Sequence, residues 1–300
     1  MPPVSAPSNR LPVTVVEVGP RDGLQNEPAS VPTERKVAFV EALAAAGLPV
    51  IETTSFVSPA AVPQLADAEQ VMRRIRRRPG VRYPVLVPNE RGLERALDAG
   101  ADAIALFTAA TDEFARANVG TSVDGTFDRF GPVMTRARDA GLWVRGYVSV
   151  AFGCPYAGAV DPAAAIAVAD RLFALGCAEV SLADTIGIAR PEGVDRLLDL
   201  ARNQLPIDRL ALHFHDTGNQ ALPNVAVGLD HGVVVFDAAA GGLGGCPFAP
   251  GAPGNLATER LVAFLAERGI DTGIDAAAVV AAVDDLRSGA ASPAAAEGTA

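Results

Sequence analysis

Cysteine is scarce, with three residues in a chain of 300. That is too few for the disulfide framework of a small secreted domain, so a reducing, cytoplasmic setting is the expectation. Long apolar runs are missing too: no stretch reaches the roughly 18 uninterrupted apolar residues of a membrane helix. The first twelve residues carry four prolines and no apolar core. They are read as a flexible N-terminal segment (1–12) and not as a signal peptide. Positive charge is in deficit, with 25 Lys and Arg against 35 Asp and Glu and a net charge of −10. That balance argues against a general nucleic-acid partner. No G-x-G-x-x-G follows the first predicted strand, which removes support for a dinucleotide-binding sheet.

What is present is a chain 49% hydrophobic and 20% charged, able to bury a large core. Apolar runs of strand length fall at residues 13–19, 50–56, 83–87, 103–107, 144–150, 179–182, 210–215 and 233–236. Between them, helical spacing predicts helices over 33–46, 62–77, 90–99, 114–140, 162–175, 191–204, the segment up to 230, and 256–267. Strand and helix thus alternate eight times, at a spacing of about thirty residues, which implies parallel strands with right-handed crossovers. Eight such units close into a (β/α)8 TIM barrel. The alternative is an open, doubly wound sheet. The domain is expected to span 13–287, with a short extra C-terminal helix over 275–286. Residues 288–300, rich in Ala, Gly and Ser, are expected to be a disordered tail.

In such barrels the chemistry sits at the C-terminal ends of the strands. Arg21 and Asp22 follow the first predicted strand, and Glu52 and Ser55 lie in the second. Thr111 and Asn118 follow the fourth, Tyr147 is in the fifth, and Asp184 follows the sixth. His213 and His215 end the seventh, and Cys246 and Asn255 follow the eighth. Any one of these could be a loop cap, but ionisable groups gathered at one end of an apolar barrel would be costly without a purpose. The cluster Arg73, Arg74, Arg76, Arg77, Arg78 and Arg82 ends a helix on the opposite face. Cations there complement the helix dipole, so a solvated structural face is expected. His231 precedes a glycine stop on that same face, and no function is assigned to it.

His213 and His215, two apart on one strand, project to the same side. They are either interior histidines satisfied by neighbours or a chelating pair for one metal ion. Asp22, on a strand close to theirs in a closed barrel, and the amide of Asn255 supply oxygen partners. Mixed nitrogen and oxygen ligands suit Mg²⁺ or Mn²⁺, while two histidines and a carboxylate also suit Fe²⁺ in an oxygenase. Residues 241–255 hold six glycines and three prolines around Cys246. The stretch reads as a lid that delivers an acid or nucleophile, against the alternative of a small buried cysteine. Cys177 fits the buried reading.

The motifs at 18–27 (Val-Gly-Pro-Arg-Asp-Gly-Leu-Gln-Asn-Glu), 51–59, 145–149 and 241–255 resemble those of the 3-hydroxy-3-methylglutaryl-CoA lyase family. The resemblance runs from about residue 13 to 275. Condensing synthases of the wider superfamily share the Arg-Asp start and the His-x-His pair, but they follow the pair with Asn-Asp and lack the cysteine loop. The resemblance implies a TIM barrel, a Mg²⁺ or Mn²⁺ ion, an acyl-CoA substrate, a homo-oligomer of two or more subunits and a place in leucine catabolism. It matches Asp22, His213, His215 and Asn255 to metal ligands and Arg21 to the group that stabilises the thioester oxygen. Cys246 matches the catalytic lid cysteine, and Glu52, Tyr147 and Asp184 match polar groups around the site. Thr108 and Thr111 stand where the family often has glycine and serine, which bears on the acyl group more than on the reaction.

The expected chemistry is cleavage of the C2–C3 bond of 3-hydroxy-3-methylglutaryl-CoA to acetyl-CoA and acetoacetate. The C3 hydroxyl must lose a proton, with Asp22 or His213 as base. The thioester enolate then needs a cation, Arg21, and a proton, from Cys246. A synthase using acetyl-CoA, a lyase for a related acyl-CoA and an iron oxygenase remain alternatives.

Overall fold

In a computed structural model, residues 12–28, 30–244 and 254–288 are described. The expected flexible start up to residue 11, the expected tail from residue 289 and the centre of the expected lid with Cys246 lie outside the described residues, while Ser288, expected in the tail, ends a helix. The strands are β1 (Thr14–Glu17), β2 (Val50–Ile51), β3 (Thr54–Ser55), β4 (Val85–Leu86) and β5 (Ala103–Ala109). They continue as β6 (Trp143–Ser149), β7 (Glu179–Asp184), β8 (Leu210–Phe214) and β9 (Val235–Ala238). The helices are α1 (Thr33–Ala45), α2 (Ala68–Arg74), α3 (Glu90–Asp98), α4 (Asp112–Val119) and α5 (Val123–Asp139). After them come α6 (Pro162–Leu175), α7 (Pro191–Ala201), α8 (Ala221–Asp230), α9 (Thr258–Glu267) and α10 (Ala276–Ser288).

The strands hydrogen-bond in the order β2-β1-β9-β8-β7-β6-β5-β4-β3, every pairing parallel. β2 and β3 are halves of one barrel strand, separated by Glu52 and Thr53. β2 pairs with β1 and β3 with β4. The two residues between them keep both sides bonded: Glu52 N donates to Glu17 O at 2.8 Å and Thr53 N to Pro84 O at 2.9 Å. The sheet therefore closes on itself, giving the eight-stranded TIM barrel expected from the repeat. Its apolar core lies mainly between strands and helices, and a small inner cluster joins Leu86, Ala105 and Tyr147. The extra helix α10 packs on α1, where Arg35 Nη1 donates to Asp285 O at 2.8 Å. No helix among the described residues is long and apolar enough to cross a membrane.

Several expected boundaries change for identifiable reasons. The single helix expected over 114–140 is two. Gly120, at φ +67°, ends α4, and the Ser122 side chain caps α5 by accepting from Gly125 N at 3.1 Å. The helix expected over 62–77 shortens to a 3₁₀ turn and α2, which stops at Arg74. Ile75 is extended there, and Arg76 N donates to Glu41 Oε1 at 2.8 Å instead of to a helical carbonyl. The third strand shrinks to Val85–Leu86, next to Pro84, which has no N–H to offer. The last strand begins at Val235 and runs on to Ala238. Val233 N still bonds back to Gly228 O at 2.9 Å, so the end of α8 holds residues expected in the strand. The shift puts Asp237 inside the barrel strand.

The segment before α10 meets the end of α1 closely. Gly47 has φ +96°, and a Cβ there would lie 2.6 Å from the Gly273 carbonyl oxygen. A left-handed conformation costs a non-glycine residue about 1–2 kcal/mol, and overpacking against backbone adds about 1–3 kcal/mol. Gly47→Ala is therefore expected to lower the melting temperature by several degrees. An unchanged melting temperature would contradict this packing of the C-terminal segment.

Candidate active site

The site begins where β1 ends. Val18 O accepts from Asp22 N (2.7 Å) and from Gly23 N (3.3 Å), winding Gly19–Gly23 into one wide helical turn. The turn delivers Arg21 and Asp22 to the barrel mouth. On the far side of β9, β8 brings in His213, and His215 follows in an isolated antiparallel bridge to Asn255. His215 is therefore just beyond the strand in which it was expected. Ligand atoms of Asp22, His213 and His215 all lie within 4.8 Å of one another.

Asn255 Nδ2 donates to Asp22 Oδ2 at 2.8 Å and to Leu243 O at 3.0 Å. Its Oδ1 is buried without a hydrogen-bond partner, and so is Nδ1 of His215. Buried acceptors left unsatisfied are costly. A divalent cation answers that cost, and two imidazoles, a carboxylate and an amide oxygen are a donor set that fits one.

Below this rim the barrel interior carries charge. Arg21 Nε donates to Glu52 Oε2 at 2.8 Å, and its Nη1 to Asp22 Oδ1 at 2.8 Å. Tyr147 OH donates to the same Glu52 oxygen at 3.1 Å. Arg145 Nη1 donates to the Tyr147 oxygen at 3.0 Å, and Arg145 Nη2 to Asp237 Oδ1 at 2.5 Å. Ser181 Oγ donates to Asp237 Oδ2 at 2.9 Å, and His213 Nδ1 lies 3.4 Å from that oxygen. Arg145 Nε also sits 2.9 Å from Glu179 Oε1, an ion pair whose angle does not make a hydrogen bond. A buried chain of contacts thus runs from Arg21 to His213.

The charges follow from this chain. Burial pushes the Asp22 carboxyl up, but Arg21, His213 and Asn255 outweigh it and hold it below the usual range. Burial likewise pushes Asp237 up, and Arg145 and His213 more than offset it. Glu52 is the reverse: burial raises it, and Arg21 only partly compensates. Burial works to lower His213, yet its bond and charge pairing with Asp237 leave it raised. Burial, then the neighbouring His213, take His215 down to about 4, a neutral imidazole suited to a metal. With Nδ1 turned to Asp237, His213 presents Nε2 to the cluster, as metal-ligating histidines commonly do.

A cavity of about 600 Å³ opens over the cluster. Arg21, Asp22, Tyr147, His213 and His215 line its polar end, and Phe107, Phe114, Phe130, Val57 and Val62 its apolar wall. Asn118, itself exposed, and Arg129 stand on the lining as well. A larger cavity, about 740 Å³, lies against α7 and holds none of the expected site residues. The chemistry is assigned to the barrel mouth, where the ionisable groups converge.

Among the described residues, the expected Glu52, Ser55, Thr111 and Asp184 do not line the mouth cavity. Glu52 lies beneath its floor, fully buried. Ser55 is buried, its Oγ accepting from Val57 N at 3.4 Å. Thr111 caps α4, and its hydroxyl donates to Cys154 Sγ at 3.2 Å. Asp184 accepts from the backbone N–H groups of Ile188 and Ala189, both at 3.0 Å. Burial, opposed by those bonds, takes its pKa up to about 6. Thr108 points away from the cavity and shares a 2.7 Å hydrogen bond with Thr126, which does line it. Cys177 is buried as expected, with burial pushing its thiol up to about 12. Of the far-face arginines, Arg74 pairs with Glu34, Arg76 with Glu41 and Arg77 with the Gly100 carbonyl, and His231 with Asp195 and Arg202. Arg145 and Asp237 escaped the sequence reading. Each is a single ionised residue inside an otherwise apolar strand, the signal that did identify the histidine pair.

A closed barrel with a divalent-metal cluster, a buried arginine and an acyl-sized cavity at its C-terminal mouth defines a metal-dependent TIM-barrel enzyme. The sequence matches the HMGL-like family over residues 12–286. It is 52% identical over 263 residues to the mitochondrial hydroxymethylglutaryl-CoA lyase of Rattus norvegicus, covering 88% of this chain and 81% of that one. A cytoplasmic 3-hydroxy-3-methylglutaryl-CoA lyase of Danio rerio is 50% identical over 272 residues, covering 91% and 81%. The crystal structure of hydroxymethylglutaryl-CoA lyase from Pseudomonas aeruginosa superposes with a TM-score of 0.92 at 45% identity, covering 95% of each chain. An Acinetobacter baumannii HMG-CoA lyase in complex with coenzyme A and 3-methylmalate gives 0.87 at 38% identity, covering 92% and 90%. The chain belongs to the HMGL-like family, and its similar relatives are hydroxymethylglutaryl-CoA lyases.

Asp237 fixes which nitrogen His213 offers. Asp237→Asn keeps the shape but weakens the carboxylate–imidazole contact, so divalent-metal affinity is expected to fall about 10–100-fold. Titration calorimetry on the folded variant checks this. Parent-like affinity would show that Asp237 does not orient the ligand.

Proposed function

We propose that the protein cleaves 3-hydroxy-3-methylglutaryl-CoA to acetyl-CoA and acetoacetate. The observation that carries this reading is the placement of Arg21 directly beside the Asp22, His213 and His215 cluster, at the polar end of a cavity with an apolar wall. The relatives named as lyases, and the coenzyme A complex of one of them, support the substrate class. Asp22, His213, His215 and Asn255 would hold Mg²⁺ or Mn²⁺, which supplies Lewis-acid chemistry that makes a nearby hydroxyl more acidic.

The protein's own groups divide the remaining work. The Asp22 carboxylate and His213 Nε2 are the basic atoms beside which the C3 hydroxyl would lie, and one of them takes its proton. As the C2–C3 bond breaks, its electron pair moves into the acetyl thioester, which becomes an enolate. The Arg21 guanidinium stands where the enolate oxygen gains charge. Glu52 and Tyr147 hold that guanidinium in place, through a 2.8 Å hydrogen bond and a ring 5.5 Å from Cζ to centroid. The C3 carbon leaves as a ketone. The enolate carbon takes a proton, for which the Cys246 thiol is the proposed donor. The apolar wall of Phe107, Phe114 and Phe130 suits the pantetheine arm, with Asn118 and Arg129 farther along the lining. A cytoplasmic setting, supported by the cytoplasmic members of the family, completes the reading, with a homo-oligomer and a role in leucine catabolism proposed from the resemblance alone.

The direct test is incubation with 3-hydroxy-3-methylglutaryl-CoA and Mg²⁺ or Mn²⁺. Acetoacetate and acetyl-CoA in equal amounts are expected, with none formed after chelation. No cleavage, or condensation of acetyl-CoA with a 2-oxo acid instead, would overturn the assignment. Arg21 faces charge that develops fully only during cleavage, so its contribution falls on turnover. Arg21→Met is expected to lower kcat by about 10²–10³ while metal still binds. A kcat within about threefold of the parent, far short of that loss, would remove Arg21 from the mechanism.

A further inference from the structure

Glu17 is a fully buried carboxylate that the proposed mechanism does not use. It ends β1, five residues before Asp22, and its side chain turns away from the metal cluster toward three other chain segments. Oε1 accepts from Gly19 N at 2.8 Å and from Ala240 N at 2.9 Å. Oε2 accepts from Thr258 Oγ1 at 2.6 Å. Each donor stands next to part of the site. Gly19 opens the turn that carries Arg21 and Asp22. Ala240 is where the chain leaves β9 for the glycine-rich stretch. Thr258 starts α9, three residues after Asn255.

The neighbouring backbone bonds show how Asn255 depends on this point. Ala239 N donates to Leu256 O at 2.9 Å, and Thr258 N returns to Ala239 O at 3.1 Å. Leu256 N donates to Phe214 O at 3.1 Å, between the two histidines. Asn255 is thus suspended between β8 and β9; besides its own bond to Asp22, the Thr258 side chain ties its segment to β1 itself. Glycine at position 19 fits the same arrangement: a Cβ there would meet Glu17 Oε1 at 2.6 Å.

We propose that Glu17 is a positioning residue that joins the Asp22 turn to the Asn255 segment, holding two ligands of the metal site in register. The inference rests on the metal reading above and names what keeps its oxygen ligands together. Two carboxylate oxygens with three donors from separate segments form a rigid joint. Backbone pairing on this side reaches only as far as Val18, whose N donates to Ala238 O at 2.8 Å, before the turn that carries Asp22 leaves the sheet. Burial pushes the Glu17 pKa up to about 7 against the three hydrogen bonds, with Glu259 adding to the rise. A neutral side chain of the same shape should therefore serve nearly as well.

The experiment compares Mn²⁺ affinity by titration calorimetry in the parent, Glu17→Gln, Glu17→Ala and Thr258→Val, with kcat and KM on the same preparations. Glu17→Ala and Thr258→Val are expected to weaken Mn²⁺ binding by about 10–100-fold, the range for lost outer-sphere partners. Glu17→Gln should restore it to within about threefold of the parent, well short of that loss. Thr258→Val removes one donor and keeps the side-chain shape, so it reads positioning even if Glu17→Ala fails to fold. Lowered melting temperatures with parent-like Mn²⁺ affinity in Thr258→Val would make Glu17 a purely structural residue and overturn the proposal. A parent that binds no divalent ion would instead overturn the metal reading, and this inference with it.

Discussion

A TIM barrel is normally filled by layers of branched apolar side chains. Here Arg145, wholly buried, occupies the middle of that space and reaches both Tyr147 and Asp237. A buried guanidinium is tolerable only if its charge is matched and its donors are used. Everything at the mouth depends on how it is matched. Toward one side Tyr147 passes the chain of contacts to Glu52 and Arg21, and toward the other Asp237 passes it to His213. The ion pairs are therefore poor candidates for net stability and good ones for specifying geometry. Removing one partner would leave another buried charge unmatched, so each side chain has a single satisfactory position.

The same logic explains the split in the second barrel strand. Glu52 and Thr53 interrupt the ladder between β2 and β3, yet their N–H groups remain bonded to Glu17 O and Pro84 O. The interruption lets the Glu52 carboxylate stand under Arg21 and Tyr147 without opening the barrel. Above it, the rim is made from segments that have left the sheet: the Gly19–Gly23 turn, His215 and Asn255. Loops held by side-chain and bridge contacts can present oxygen and nitrogen donors inward, where a regular ladder would present only alternate residues.

Much of this is legible in the order of the amino acids alone. The eightfold alternation of apolar runs and helices specifies a closed parallel barrel, because each run is long enough for a strand and each gap for a crossover. Arg21, Asp22 and the histidine pair stand out as ionisable groups abutting apolar strands, and Asn255 as an amide closing a glycine-rich stretch. The breaks that escape such a reading are of two kinds. Gly120 and Ser122 divide α4 from α5 by local signals that a long helical periodicity masks. The end of α2 is set by Glu41, thirty-five residues away, capturing the Arg76 N–H, and no local pattern encodes that. The interior partners are hidden for the same reason. Arg145 and Asp237 are 92 residues apart and meet only because their strands face each other across the barrel. Ser55, Thr111 and Asp184 carry polar groups at the right end of their strands, but their bonds go to loop backbone and Cys154.

The central claim is that this buried chain presents four donors of fixed identity to one divalent ion. The most direct measurement is a crystal structure grown with Mn²⁺, located by its anomalous scattering. The account predicts a single ion bound by a carboxylate oxygen of Asp22, Nε2 of His213, a ring nitrogen of His215 and Oδ1 of Asn255, with Asp237 still against His213 Nδ1. An ion bound elsewhere, or ligated through Nδ1 of His213, would contradict it.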